Sequence, residues 1–221
     1  MSASKLLTFR QMSETRQALP TFVPDNRYSI EEWLAIEEVT GERYEYHEGQ
    51  LVSVTAMAGG TPEHALLISN ATGVSYQALS DPKFRAAPCS TYSSDLRLAL
   101  KSQERYVYPD LAIVCGKPQY DEVVSSAINN PIAIFEVVST SSVAFDSGKK
   151  FDWYSQLVTL RDYVLLAQSK MRVEVYSRAS INDKWNIQVF ANRSDTFALA
   201  GLPGAQFKLA DVYRDWEAPR Q

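Results

Sequence analysis

The segment 131–138 constrains the fold more than any other part of this sequence. Seven of its eight residues are apolar or proline, and the exception is Glu136. An apolar run of this length between polar, turn-forming segments is typical of a buried strand. Side chains alternate along a strand, so we expect Glu136 to share a face with Ile134 and Val138. A buried carboxylate needs a cation or a metal partner. The alternatives for Glu136 are a structural ion pair and a slightly exposed strand end.

A second carboxylate of the same kind precedes another apolar run. Asp110 follows Pro109 and opens the segment 110–115, 26 residues before Glu136, so the two strands can be neighbours in one sheet. Lys150 follows Glu136 by 14 residues in a predicted helix that begins near Phe145. Two carboxylates and a lysine can hold Mg²⁺, which takes one or two carboxylates and keeps several waters. Lys150 can instead pair with Asp146, one helical turn before it.

Two further residues are candidates for an accessory role. A predicted hairpin over 43–57 puts Glu45 and His47 on one face, and Glu45 can pair with Arg43 or Lys150 instead of joining a site. Thr61 and Pro62 predict a helix start, with His64 in its first turn. The alternative for His64 is a hydrogen-bonded core position. The helix dipole disfavours its charged form there, which suits a neutral role beside the site.

Five segments in order carry a resemblance to a known family. They are Tyr44-Glu45-Tyr46-His47-Glu48-Gly49-Gln50-Leu51, Thr61-Pro62-Glu63-His64, Pro109-Asp110-Leu111, Glu136-Val137-Val138-Ser139-Thr140 and Asp146-Ser147-Gly148-Lys149-Lys150-Phe151-Asp152-Trp153-Tyr154. Together they resemble the PD-(D/E)xK nuclease superfamily and, more closely, its Uma-two family, which is associated with restriction endonucleases. Each segment alone is a weak signal, and the five in order over about 28–176 are specific.

The resemblance implies the fold and the site residues. It implies an α/β, restriction endonuclease-like fold, in which helices flank a central mixed sheet and further antiparallel strands follow. Asp110 and Glu136 would bind the metal, Lys150 would position or activate water, and Glu45 and His64 would be accessory catalytic residues. The superfamily pattern puts lysine where Val138 stands, and in this family the lysine lies on the next helix, where Lys150 matches. Gln50 and Thr140 also depart from the family pattern.

The composition sets limits on this interpretation. A chain of 221 residues with 45% hydrophobic residues can bury one core, so we expect an N-terminal arm over 1–26 and a single domain over 27–221. The net charge of −4 counts against a strong non-specific DNA binder but allows a local cationic patch. Cys89 and Cys115 are too few for a disulfide framework, so a reducing cytoplasm is expected. No apolar stretch is long enough for a membrane helix.

The sequence thus predicts a Mg²⁺-dependent endonuclease that hydrolyses DNA, with Mn²⁺ as a substitute ion. The family resemblance also implies a homodimer. Two alternatives stay open at this stage. One is a non-catalytic interaction module that keeps the nuclease fold, which the acidic net charge favours. The other is a hydrolase of a different phosphate ester.

Overall fold

A computed structural model of the chain describes residues 21–54, 60–84, 88–100, 104–140 and 142–218. Its helices are α1 (Ile30–Thr40), α2 (Pro62–Leu79), α3 (Val143–Phe145), α4 (Phe151–Ser155) and α5 (Leu209–Val212), with a 3₁₀ turn at Pro82–Phe84 and a π-helical turn at Asp146–Lys150. Its strands are β1 (Tyr44–His47), β2 (Gln50–Ser53), β3 (Cys89–Ser93), β4 (Arg97–Leu100), β5 (Arg105–Val107), β6 (Leu111–Cys115), β7 (Ala127–Ile128), β8 (Ala133–Val138), β9 (Asp162–Ala167), β10 (Val173–Ser177), β11 (Asn186–Phe190), β12 (Thr196–Phe197) and β13 (Phe207–Lys208).

A six-stranded mixed sheet with the order β11-β10-β9-β8-β6-β3 forms the centre of the fold. Strand β8 pairs with β6 in the antiparallel sense and with β9 in the parallel sense. All six residues of β8 are buried, as its apolar run predicts. The strand alternation is also confirmed, because Phe135 and Val137 pack into one core while Ile134 and Val138 pack into another. Glu136 therefore lies on the second face.

Helices cover the two faces of this sheet. Leu67 and Ala71 of α2 pack with Phe135 and Val137 on one face. Tyr154 of α4 packs with Ile134 and Val138 on the other. This arrangement confirms the predicted α/β fold with a mixed sheet between helices.

A second sheet of five strands, with the order β2-β1-β5-β4-β7, lies beside the first. The sequence suggested that 105–107 and 110–115 form one continuing strand pair, but β5 and β6 belong to different sheets. Pro109 lies between them, and a proline has no N–H to donate to a strand ladder. The chain passes from one sheet to the other at this point, and the crossing carries Asp110.

The N-terminal elements follow local sequence signals. Ser29 and Glu32 form the predicted capping box at the start of α1, and Gly41 ends the helix with φ of +71°. The turn between β1 and β2 is Glu48-Gly49, with positive φ at both residues, as a two-residue hairpin requires. The predicted continuation of this hairpin over 55–57 lies outside the described residues. So do residues 1–20 of the predicted N-terminal arm, while Phe22 packs 4.8 Å from Tyr44, measured between ring centroids.

The two cysteines form a single disulfide, which the sequence analysis did not predict. Cys89 of β3 and Cys115 of β6 are partners in the strand register and form a disulfide. Their spacing of 26 residues does not reveal a strand pairing, so the sequence alone gave no sign of this bond. The cytoplasmic location was expected because two cysteines are too few for a disulfide framework, and it stays a prediction. In the part of the chain that the structure describes, no helix is long and apolar enough to cross a membrane.

Asp162 anchors the C-terminal segment to the central sheet. This fully buried carboxylate accepts hydrogen bonds from the Ser177 hydroxyl at 2.6 Å, the Ala200 N–H at 2.9 Å and the Gly201 N–H at 2.7 Å. Burial raises the pKa of Asp162, while these three donors act to lower it. Removal of the carboxylate would leave two backbone N–H groups without their partner.

We expect Asp162→Ala to lower the free energy of unfolding by about 2–4 kcal/mol, because unsatisfied buried donors are costly. Urea denaturation followed by circular dichroism measures this change. Asp183→Ala removes an exposed carboxylate and should change stability by less than about 0.5 kcal/mol. Equal effects of the two substitutions would contradict the anchoring role of Asp162.

Candidate metal centre

A cavity of about 280 Å³ opens where the two sheets meet, at the ends of β6 and β8. All five residues that the sequence singled out line it: Glu45, His64, Asp110, Glu136 and Lys150. They come from a hairpin strand, a helix start, the crossing between sheets, a central strand and a π-helical turn. The fold thus gathers residues from 45 to 150 around one space.

Asp110 and Glu136 are held on neighbouring strands. Asp110 directly precedes β6, and its Oδ2 accepts a hydrogen bond of 2.7 Å from the backbone N–H of Val137, the residue after Glu136. The side chain of Glu136 is 5% exposed and that of Asp110 is 15% exposed. The prediction that the two strands are neighbours in one sheet is therefore confirmed. One hydrogen bond fixes the two carboxylates relative to each other.

Lys150 reaches both carboxylates that flank it. Its Nζ lies 3.1 Å from Glu136 Oε1 and 3.7 Å from Asp146 Oδ1. The pairing with Asp146 that the sequence allowed is therefore present, together with a closer one to Glu136. Both Asp146 and Lys150 lie in the π-helical turn between α3 and α4. Such turns occur frequently at functional sites, where they redirect side chains.

The cavity holds more negative than positive charge. Four carboxylates line it (Glu45, Asp110, Glu136 and Asp146) against one lysine. Burial, together with the charges of Asp110 and Asp146, raises the pKa of Glu136 to about 8, although Lys150 acts in the opposite direction. Burial likewise raises the pKa of Asp146. The site is thus short of positive charge.

Lys150 carries its charge in this environment. Burial acts to lower the pKa of Lys150, but the negative charge of Glu136, with those of Glu45 and Asp146, outweighs burial and raises it. The raised pKa values of the two groups have different main causes: burial for Glu136, and the nearby carboxylates for Lys150. The two carboxylates close to Lys150 therefore favour its charged, ammonium form. A charged lysine stabilises an anion more readily than it accepts a proton.

Glu45 is oriented by a short chain of side chains. Glu45 Oε2 lies 3.0 Å from His47 Nε2, and Arg105 Nη1 lies 3.3 Å from His47 Nδ1. Arginine can only donate, so Nδ1 accepts and the ring hydrogen of the neutral tautomer is on Nε2, where it faces Glu45. The suggested pairing of Glu45 with Arg43 is wrong, since Arg43 pairs with Asp95.

His64 contacts Asp110 at the start of α2. The Thr61 hydroxyl accepts a hydrogen bond of 3.2 Å from the His64 N–H, which confirms the predicted N-cap. The His64 Nε2 atom lies 3.4 Å from Asp110 Oδ2. The structure thus places His64 beside the carboxylate pair. The alternative interpretation of His64 as a core residue is therefore not supported.

The donor set fits a hard divalent cation. The contacts described above use Oδ2 of Asp110 and Oε1 of Glu136, which leaves the second oxygen of each carboxylate without such a contact in the described residues. Magnesium takes this kind of ligand and completes its shell with water. Among the described residues, no three His, Cys, Asp or Glu side chains already form a cage for a metal.

Two residues that contact the site were not among the candidates predicted from the sequence. The buried Tyr154 hydroxyl donates to Glu136 Oε1 at 2.8 Å, and His47 contacts Glu45 as described above. Tyr154 follows Lys150 by four residues, and His47 follows Glu45 by two, so each lies on the same face as a predicted site residue. That periodicity was the available signal.

These features define a restriction endonuclease-like fold. The Uma2 family, described as "Putative restriction endonuclease", matches residues 30–210. The chain therefore belongs to this family, which is the Uma-two family named above. The uncharacterized protein sll1609 of Synechocystis sp. is 31% identical over 147 residues, covering 66% of this chain and 78% of its own length. A second one, slr1290, is 29% identical over 191 residues, covering 86% and 94%.

A solved structure shares the fold. It is the crystal structure of "a putative nuclease belonging to DUF820" from Anabaena variabilis, with a TM-score of 0.60 and 14% sequence identity. The match covers 80% of this chain and 92% of the other. At this identity the likeness shows the common architecture and leaves the chemistry to the site residues.

We expect the metal-free protein to lose stability as the pH rises from about 5 to 8. The pKa of Glu136 is raised to about 8 in the folded state from an ordinary value of 4.5, so in this interval the folded state binds the proton and the unfolded state does not. Glu136→Gln should remove this part of the pH dependence, which is on the order of a few kcal/mol. Urea denaturation in the presence of EDTA measures it at each pH.

The control is Glu38→Gln, which changes an exposed residue of α1 and should keep the slope of the wild type. The same slope in Glu136→Gln and in the wild type would show that Glu136 ionises normally in the folded protein.

Proposed function

We propose that this protein is a Mg²⁺-dependent endonuclease that hydrolyses phosphodiester bonds in DNA. One observation carries the proposal: Asp110, Glu136 and Lys150 line one cavity that has four carboxylates and a single lysine. Membership of a family named for restriction endonucleases supports the same reaction class.

Asp110 and Glu136 would hold the metal ion. Each has one carboxylate oxygen engaged by the protein and one left for a ligand, so the two are oriented before any ion binds. When bound, the ion would polarise the phosphoryl group and lower the pKa of a bound water. Tyr154, which donates to Glu136, and His64, which contacts Asp110, would keep the two carboxylates in place.

Lys150 would act as a fixed positive charge. It is 10% exposed and paired with Glu136 and Asp146, so it cannot easily swing away from the cavity. Phosphodiester hydrolysis adds negative charge to the phosphoryl oxygens in the transition state, and a preorganised cation stabilises that charge. Of the two roles that the sequence suggested, positioning of the water and substrate suits a charged lysine better than removal of a proton.

The first test measures metal binding. We expect isothermal titration of Mg²⁺ or Mn²⁺ into the wild type to show one saturable site, and Asp110→Ala to lose at least about tenfold in affinity, because one of two ligands is gone. Asp152→Asn changes an exposed carboxylate on α4 and should bind as the wild type does. The absence of binding by the wild type at millimolar metal would overturn the catalytic proposal and favour an interaction module.

The second test measures cleavage. We expect the wild type with Mg²⁺ to nick supercoiled plasmid DNA, and Lys150→Ala to lower the rate by roughly 10²–10³-fold, because the charge that stabilises the transition state is removed. Lys149→Ala is the matched control, since Lys149 is the adjacent exposed lysine. Thermal unfolding of both variants verifies that they fold.

Two outcomes of the cleavage test would contradict the proposal in different ways. Equal loss of activity in Lys149→Ala and Lys150→Ala would remove the specific role of Lys150. Metal binding without cleavage of plasmid DNA would point to another phosphate ester, and RNA or bis(p-nitrophenyl) phosphate would then be tried.

A further inference from the structure

A second, smaller cavity of about 110 Å³ adjoins the metal centre. Ser139 lines both cavities. The smaller one lies at the carboxyl ends of β8 and β9, which are parallel neighbours, with Val138 opposite Ala167 at the last register position. Ligands of α/β sheets bind in crevices outside the carboxyl ends of the strands. We call this space the basic groove, and define it by Ser139, Thr140, Ser169, Lys170 and Arg172.

The groove carries positive charge beside an acidic cavity. Lys170 is exposed and forms no ion pair among the described residues. Glu174 is the one acidic residue that also lines this space. Arg172 donates through Nε to Glu174 Oε1 at 2.9 Å, and its remaining guanidinium nitrogens have no partner in the part of the chain described. With Glu174 counted, the groove keeps one net positive charge and cationic donors for an anion, whereas the larger cavity has a surplus of carboxylates.

The walls of the groove are held in place. The Gln168 N–H donates to the Val138 carbonyl at 2.9 Å, and the Thr140 hydroxyl donates to Ser169 Oγ at 3.4 Å. On the other side, the Tyr213 hydroxyl contacts the carbonyls of Ala167 and Arg172 at 2.9 and 2.7 Å. The turn that carries Lys170 is therefore tied to the segment that follows Glu136, and its position relative to the metal centre is fixed.

We propose that the basic groove binds a backbone phosphate of the DNA strand next to the phosphate that is cleaved. The strand would run from the metal centre past Ser139 to Lys170 and Arg172. This proposal rests on the proposed function, since it takes the cleaved phosphate to lie in the larger cavity. Lysine and arginine on a phosphate position a strand without reading its sequence. The arrangement supplies the local cationic patch that a chain of net charge −4 needs.

The test compares Lys170→Ala with Lys208→Ala, which removes an exposed lysine of β13 outside the groove. A fluorescein-labelled duplex DNA of about 20 base pairs is titrated with each protein in Ca²⁺ between 50 and 300 mM KCl. We expect Lys170→Ala to reduce the slope of log K against log salt by about 0.9, the value for one lost phosphate contact. Affinity at about 100 mM salt should fall roughly fivefold to tenfold, while Lys208→Ala binds as the wild type.

A small substrate separates this proposal from the proposed function. Bis(p-nitrophenyl) phosphate has one phosphate and cannot fill the groove, so Lys170→Ala should hydrolyse it at the wild-type rate but cleave DNA more slowly. In one outcome, the wild type cleaves both substrates while Lys170→Ala and Lys208→Ala bind DNA identically. That result would overturn the proposed role of the groove and support the nuclease. Hydrolysis of neither substrate, with the salt slope still reduced in Lys170→Ala, would support the groove and overturn the nuclease. No DNA binding by the wild type would overturn the groove.

Discussion

The buried contact between Lys150 and Glu136 is the interaction on which the site depends. It joins the helical segment after β8 to β8 itself, and it places a lysine and a carboxylate where water is largely excluded. A buried ion pair by itself contributes little stability, because desolvation of both groups opposes their attraction. Here the surrounding carboxylates outnumber the lysine, so the arrangement is costly in the absence of a further cation. A site of this kind is better explained by function than by stability.

Under the proposed function, the division of charge between two adjoining cavities would reconcile an acidic protein with DNA, an acidic substrate. The metal centre would use a cation to bring the substrate phosphate close to carboxylates, and the basic groove would supply the lysine and arginine on which the rest of the strand lies. Both spaces lie at the end of β8, since Val137 lines one and Val138 lines the other. The net charge of −4 therefore says little about binding, because the local arrangement of charges decides it.

Much of the site followed from sequence patterns that act over short distances. The apolar runs around Asp110 and Glu136 predicted two buried strands, and their alternation placed Glu136 correctly on one face. The capping box at Ser29 and the N-cap at Thr61 set two helix starts.

Other features depended on contacts between distant segments. The disulfide between Cys89 and Cys115 requires the register of β3 against β6, and the separation of β5 from β6 requires a second sheet, and neither is encoded locally. The expected homodimer stays a prediction.

The sequence by itself determined which residues are available for the chemistry, because a carboxylate in an apolar strand is unfavourable unless it has a partner. It also determined the family, through five short segments in a fixed order. Only the tertiary structure decided how the charges balance. It placed Asp146 and Glu45 in the same cavity as Lys150. It also brought the Tyr154 hydroxyl into a hydrogen bond with Glu136 and placed His47 against Glu45. The basic groove lies beside this cavity. These relations depend on strand register and on a π-helical turn, which long-range packing selects and local sequence preference does not.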